Sequence, residues 1–344
     1  MAVEPSIRSK AWAIFDRICA DAAPGGIHTN PWVRNGDGTV RYEPDFPVLQ
    51  QLLGVPLYLE APTTTGVPAL ALDVWVSYEL RRAGFAPDAT WPRAEHPRIL
   101  PAAIANLLRA LKGKERDQLV KRLGSTTPMK GVVSASANIL GKNYLKQVDV
   151  VMSDWDTGPE LLISTKRMDS SFGKNAANRV EESYGDAKNL RLRHPLAALG
   201  FVYGLRSTIL TEEPKKARWL IDLLQKLGRE DDAYHAVALI MIEYGTHATG
   251  SLTSEDEVTD DGDADNPLIA AGLDNETSEE DGEDVPSSAI EDALAALPNV
   301  HIRHDSVPAA LQPARFLELM VRRVIDATPV DRHDNARERL EEPR

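Results

Sequence analysis

A chain of 344 residues with 42% hydrophobic and 26% charged residues can bury a sizeable core, which excludes the collagenous, disulfide-rich and wholly disordered classes. Its single cysteine, Cys19, excludes an intramolecular disulfide and a cysteine metal cluster and predicts a reducing, cytoplasmic setting. The net charge of −13 is unevenly spread: sixteen Asp and Glu and no Lys or Arg fall between Ser254 and Asp292, and without those sixteen the chain carries +3, so a nucleic-acid partner is not excluded.

From Ser6 to Ala23, apolar residues at Ile7, Ala11, Ile14, Phe15 and Ile18 have helical spacing that ends at Pro24-Gly-Gly26. Met1-Ala-Val-Glu-Pro-Ser has no basic start followed by an apolar run and does not read as a signal peptide. Asn35-Gly-Asp-Gly38 reads as a turn between short strands. Helices are expected from Pro68 to Gly84, from Pro101 to Leu111 and from Glu115 to Leu123.

Beyond Gly124-Ser-Thr-Thr-Pro128 the pattern turns to strands. Gln147-Val-Asp-Val-Val-Met152 and Glu160-Leu-Leu-Ile-Ser-Thr-Lys166 are apolar or β-branched runs separated by the turn chemistry of Ser153-Asp-Trp-Asp-Thr-Gly158, and together they predict a hairpin. A helix fits Gly173 to Arg193, a strand Leu199 to Leu210, an amphipathic helix Pro214 to Leu227, and a strand His235 to Tyr244. Val300 to Arg303 and Pro313 to Ala327 give a late strand and a closing helix, followed by an Arg-rich tail expected to fray. No run approaches the roughly eighteen apolar residues that span a bilayer, so a soluble protein without a membrane partner is expected. Strands alternating with helices predict an α/β fold, a central mixed sheet flanked by helices. The expected divisions are a mostly helical 1–124 region suited to substrate recognition, a core over 125–250, an acidic disordered insert over 251–297, and a strand and helix over 298–344 that pack on the core.

The chemistry centres on the predicted hairpin. Asp149, embedded in Gln-Val-Asp-Val-Val, is locally unfavourable unless it is paired or holds a metal. Strand alternation places Ser164 and Lys166 on one side and Thr165 on the other. On the following helix Glu181 lies about 100° from the core-facing Val180 and Glu182 about 200°, which puts Glu181 ahead of its neighbour. A polar stripe of Lys174, Asn178, Glu181, Gly185 and Lys188 runs along that helix, and Arg167, Arg179, Arg191 and Arg193 add charge suited to phosphate contacts.

With Asp149 ahead of the turn and Ser164-Thr165-Lys166 after it, the segment Val148 to Leu210 resembles the PD-(D/E)xK nuclease superfamily, within it the type II restriction endonucleases that carry Ser-x-Lys and a displaced Glu on the next helix. The resemblance implies a restriction-endonuclease-like sheet and Mg²⁺-dependent endonucleolytic cleavage of DNA, in restriction or another defence against foreign DNA. It implies Asp149 and Glu181 as metal ligands, Lys166 as the group that orients the attacking water or stabilises phosphate charge, and Ser164 as a small neighbour or water ligand. Lys174, Asn178, Arg179 and Lys188 would touch the nucleic acid, and a homodimer would suit a duplex substrate. Two alternatives stand beside this reading: a DNA-binding protein of the same fold without cleavage, since Ser164 occupies the usual acidic position, and an RNA-directed nuclease. Among other acids and histidines, Glu79 is expected at solvent, His235 as a satisfied sheet-edge residue, and His301 and His304 without zinc.

Overall fold

The structure, a computed structural model, describes residues 4–123, 132–134, 136–170, 172, 176–245 and 285–344, with the backbone alone for 176–179. The expected turn at 124–128, Lys174 and most of the acidic insert lie outside the described residues, as do the side chains of Asn178 and Arg179.

The chain begins with α1 (Ile7–Ala22), capped by Ser6, whose side chain accepts from the amide of Ser9. A hairpin of β1 (Trp32–Arg34) and β2 (Val40–Tyr42) spans the expected turn. The helix α2 (Phe46–Tyr58) was not legible, because Pro47, Gly54 and Pro56 disrupt its propensity. Asp45 caps it and the burial of Leu49, Leu52, Leu53 and Val55 outweighs those breakers. Next come α3 (Val67–Arg82), the two-residue β3 (Thr90–Trp91), α4 (Ala102–Ala110) and α5 (Lys114–Leu123).

The central hairpin follows: β4 (Asn138–Leu140) and β5 (Leu145–Gln147) form a small pair, then β6 (Val150–Asp154) turns into β7 (Gly158–Met168). The helix α6 (Ala176–Arg193) crosses to β8 (Ala198–Arg206), and α7 (Ile209–Glu212) with α8 (Pro214–Leu227) crosses to β9 (Ala236–Tyr244). After α9 (Ser287–Ala295) come β10 (Val300–Ile302), α10 (Pro313–Ala327) and α11 (Asp334–Glu341).

Among the described residues one six-stranded mixed sheet runs in the order β10-β9-β8-β7-β6-β3, with β7, β8 and β9 parallel and the other neighbours antiparallel. One face buries Val150, Ile163, Val202 and Ile240 against α1, α2, α3 and α10, in a core continuous with the helical amino-terminal region. The other buries Val151, Leu162, Phe201 and Leu239 against α6 and α8. The chain is thus an α/β protein with a helical amino-terminal region and helices on both faces of its sheet. None of the described helices is long and apolar enough to cross a membrane.

Two glycines on β8 set the spacing of the first face. A Cβ at Gly200 would come within 2.7 Å of the Phe316 ring, and one at Gly204 within 3.0 Å of Leu72 Cδ1, so α10 and α3 lie close to the strand because both positions lack side chains.

Two expectations are corrected. The tail after Pro329 is ordered, not frayed: Arg337 donates to the carbonyls of Ile325 at 2.7 Å, Thr328 at 3.0 Å and Arg332 at 2.8 Å, and Arg344 exchanges backbone hydrogen bonds with Trp32 and Arg34. Gly84, at φ +103°, ends α3 where the backbone of Ala336 passes within 2.9 Å of a would-be Cβ, so α11 seats on that helix terminus. Within the expected insert, Ser287 to Ala295 is helical and buries Ala293, despite two acids on the helix.

Candidate active site at the central hairpin

The first strand of the predicted hairpin starts at Val150, three residues after the expected Gln147, which ends β5 instead, and Asp149 therefore stands at the approach to β6 and not within it. Its Oδ2 accepts the amide N–H of Thr165 at 2.7 Å. The alternation along β7 is as expected. Leu162 and Met168 pack in the α6/α8 core, and Ser164 shares their face, its hydroxyl beside the phenol of Tyr234 and the α6 residue Ser183. Lys166 follows on that face, half-buried. Thr165 points to the opposite side, toward α3.

There it meets an acid that was not singled out from the sequence. The Thr165 hydroxyl donates to Asp73 Oδ1 in a short hydrogen bond. Asp73 is 9% exposed on a helix buried nearly all round. Burial pushes its carboxyl well above the usual range, the nearby Asp149 charge pushes the same way, and the Thr165 hydroxyl, Arg8 and Lys166 oppose both. Asp73 and Asp149 therefore meet at one end of the hairpin through Thr165, which is bonded to both, and Lys166, which leaves β7 on the other face, is near enough for its charge to bear on Asp73. A signal existed: Asp73 interrupts the apolar run Val67-Pro-Ala-Leu-Ala-Leu-Asp-Val-Trp-Val76, the same anomaly that marked Asp149.

The helix is held over β7 by a second contact. Arg167 donates from Nη1 to the carbonyl of Pro68 at 3.2 Å, and its Nε lies 2.8 Å from Asp169 Oδ2, while Tyr244 donates to Asp169 Oδ1 at 2.9 Å. This corrects the expectation that Arg167 offers charge to phosphate: it is 7% exposed and committed to a buried pair that positions α3. Glu79 is likewise not at solvent. It is fully buried and accepts from Tyr42, from the amide of Asp45 at 2.6 Å and from Arg82 at 2.9 Å, so three donors offset the cost of burying it.

Glu181 and Glu182 are both exposed on α6. Glu181 makes no hydrogen bond or ion pair with a described residue, and nothing draws it toward Asp149. On the same helix Lys188 pairs with Asp232 at 2.8 Å and lies 5.8 Å from the centre of the Tyr184 ring. Arg191 donates to the carbonyl of Ala233 at 2.9 Å, while Arg193 is exposed. Two further members of the polar stripe, Lys174 and Asn178, and the neighbouring Arg179 fall outside the described side chains. His304 packs edge-on to Phe46 at 4.2 Å, away from any metal-like grouping.

Positive charge at the site comes instead from Lys166 and from Arg8 at the start of α1. Arg8 has no hydrogen-bond or ion-pair partner among the described residues, and its charge bears on Asp73. Among the described residues no three His, Cys, Asp or Glu side chains converge as a ready-made cage. The donor set is two carboxylates, and this suits Mg²⁺ best, because that ion commonly takes one or two carboxylates and keeps its other positions for water and phosphate oxygens. No family model, no curated protein and no solved structure matches the chain.

Proposed function

We propose that this protein is a Mg²⁺-dependent endonuclease that hydrolyses DNA phosphodiester bonds at the Asp73–Asp149–Lys166 site. The observation that carries the reading is the joining of two carboxylates through Thr165 at the end of the β6–β7 hairpin, with the Lys166 charge bearing on one of them. The sheet supports it too: β7 lies between antiparallel β6 and parallel β8, in keeping with a restriction-endonuclease-like architecture. A role in restriction or another defence against foreign DNA rests on the motif resemblance alone.

In this reading Asp73 takes the part that the motif gave to Glu181, so Asp73 and Asp149 hold the metal. The metal supplies charge neutralisation on the phosphate and lowers the pKa of a bound water. The chain's own residues do the rest. Thr165 fixes the spacing of the acids, its amide on Asp149 and its hydroxyl on Asp73. Lys166 orients the attacking water or holds charge on the phosphate as water adds to phosphorus and the bridging P–O bond breaks. Arg8, without an ion-pair partner among the described residues, binds a neighbouring phosphate without reading sequence. Ser164 keeps its hydroxyl toward the Tyr234 phenol and has no nucleophilic role in this reading.

Cleavage of supercoiled plasmid, methylated and unmethylated, with Mg²⁺ or with EDTA, tests the proposal. Cleavage that requires Mg²⁺ and falls about a hundredfold or more in Asp149→Ala and Lys166→Ala is expected. Binding of DNA without cleavage of any substrate would favour the non-cleaving relative of the same fold, a reading that the absence of a third acid among the described residues keeps open. Cleavage of a structured RNA offered in parallel, with the plasmid left intact, would change the substrate and not the site.

A further inference from the structure

A cavity of about 840 Å³ opens between α1, α3 and the 87–98 loop, on the side of α3 that carries Val74, Ser77, Tyr78 and Arg81. Its size is that of a small-molecule site. At its wall stands Arg81, only 7% exposed. Arg81 Nη1 donates to the Pro92 carbonyl at 3.0 Å, and among the described residues the guanidinium has no carboxylate partner and no other hydrogen bond. Its Nε and Nη2 are not sealed within protein, which leaves them to the cavity. A buried, uncompensated arginine is costly in a folded protein, and a bound anion would offset that cost.

The surrounding charges leave that cost in place. Arg98 is held by both oxygens of Asp16, at 2.9 and 2.6 Å, and Arg93 by Asp88 at 2.6 Å. Arg339, like Arg81, contacts no carboxylate: its guanidinium donates to the carbonyls of His28 at 3.2 Å and Arg82 at 2.8 Å and to the Asn335 side chain. Against these two guanidinium groups the cavity sets one further acid, Glu95, at its exposed rim. His28 adds no negative charge, and burial with the neighbouring arginines holds it neutral, its pKa pushed down to about 4. Trp12, Tyr78 and Phe85 stand behind its walls, none more than 4% exposed, and Arg98 covers the Trp12 ring at 4.1 Å, so the anchor that the cavity offers is the guanidinium and not an aromatic face.

We propose that this cavity binds a small organic phosphate of about mononucleotide size, its phosphate on Arg81. The site is separate from the hairpin and independent of the nuclease reading. It shares α3 with Asp73, so an occupant touches the helix that carries the buried acid.

Isothermal titration of the full chain with adenosine 5′-monophosphate, in EDTA so that no metal-bridged phosphate contributes, tests it. Inorganic phosphate and adenosine are the separate arms. Saturable one-site binding is expected, with inorganic phosphate competing and adenosine far weaker. Arg81→Gln should weaken the binding about tenfold or more, the loss of one charged contact. Ala20→Trp, at an exposed position on the cavity rim, should block it with an unchanged circular-dichroism spectrum, and decides the matter alone if Arg81→Gln fails to fold. No saturation at millimolar nucleotide, unaltered affinity in the folded variants, or adenosine binding as well as its phosphate would each overturn the proposal.

Discussion

Asp73 and Asp149 are joined through one residue of the sheet: Thr165 gives its amide N–H to Asp149 at 2.7 Å and its hydroxyl to Asp73. A helix residue and a strand-entrance residue 76 positions apart are thereby held at one spacing by the pleat of β7, whose alternation sends the side chain one way while the amide remains in the ladder plane. Two carboxylates held together and one of them buried are unfavourable by themselves, which is the arrangement a cation relieves.

The first consequence concerns stability. Asn in place of Asp73 keeps an oxygen for the Thr165 hydroxyl and removes the charge that burial and Asp149 both oppose. In the absence of metal, Asp73→Asn should therefore melt at or above the temperature of the wild type, by roughly 1 kcal/mol of added stability. Added Mg²⁺ should raise the wild-type melting temperature and leave that of the variant unmoved. Calorimetric melts with Mg²⁺ and with EDTA check this; a large loss of stability in the variant without metal would mean that Asp73 is ionised and structurally paired.

Arg8 sits beside the acids without a hydrogen-bond or ion-pair partner among the described residues, so its substitution should weaken substrate capture more than chemistry. Arg8→Ala should raise KM several-fold with kcat changed less than about twofold, and the slope of log affinity against log salt should shrink by about one phosphate contact. Steady-state cleavage across a salt series measures both; an unchanged slope would remove Arg8 from the interface.

Acid should loosen the fold through His235. Its Nδ1 accepts the amide of Leu199 at 2.9 Å, an interaction that only the neutral ring can make, and burial pushes its pKa down to about 3. The folded pKa lies below that of the unfolded chain, so between about pH 6.5 and 3 the unfolded state binds more protons and stability falls as pH falls. Urea melts at pH 7.0 and 5.5 should differ by roughly 1 kcal/mol from this residue, and His235→Gln should flatten that difference. A pH-independent wild type over this interval would contradict the assignment.

Much of the fold was written in local pattern. Pro68 and Gly84 bracket α3, the apolar rows of Pro214 to Leu227 and Pro313 to Ala327 give α8 and α10, and the β-branched runs around Ser153 to Gly158 give the β6–β7 hairpin. The missed elements depend on tertiary contacts. The helix α2 overrides its prolines through burial, β3 is a two-residue strand made by pairing with β6, and α11 is anchored to carbonyls and to α3.

The site divides the same way. Alternation gave Ser164, Thr165 and Lys166 their sides from sequence alone, whereas the third member lies 76 residues before Asp149 on another helix, a distance no local motif spans. The motif therefore sent the search for an acid to α6, where Glu181 is exposed. The clue on α3 was physical: an acid interrupting the apolar run from Val67 to Val76.

The most direct measurement is plasmid cleavage in Mg²⁺ by Asp73→Asn and Glu181→Gln side by side with the wild type. The account predicts loss of about a hundredfold or more for Asp73→Asn, with its fold intact, and activity within about twofold of wild type for Glu181→Gln. Full cleavage by Asp73→Asn together with an inactive Glu181→Gln would contradict it and return the second acid to α6.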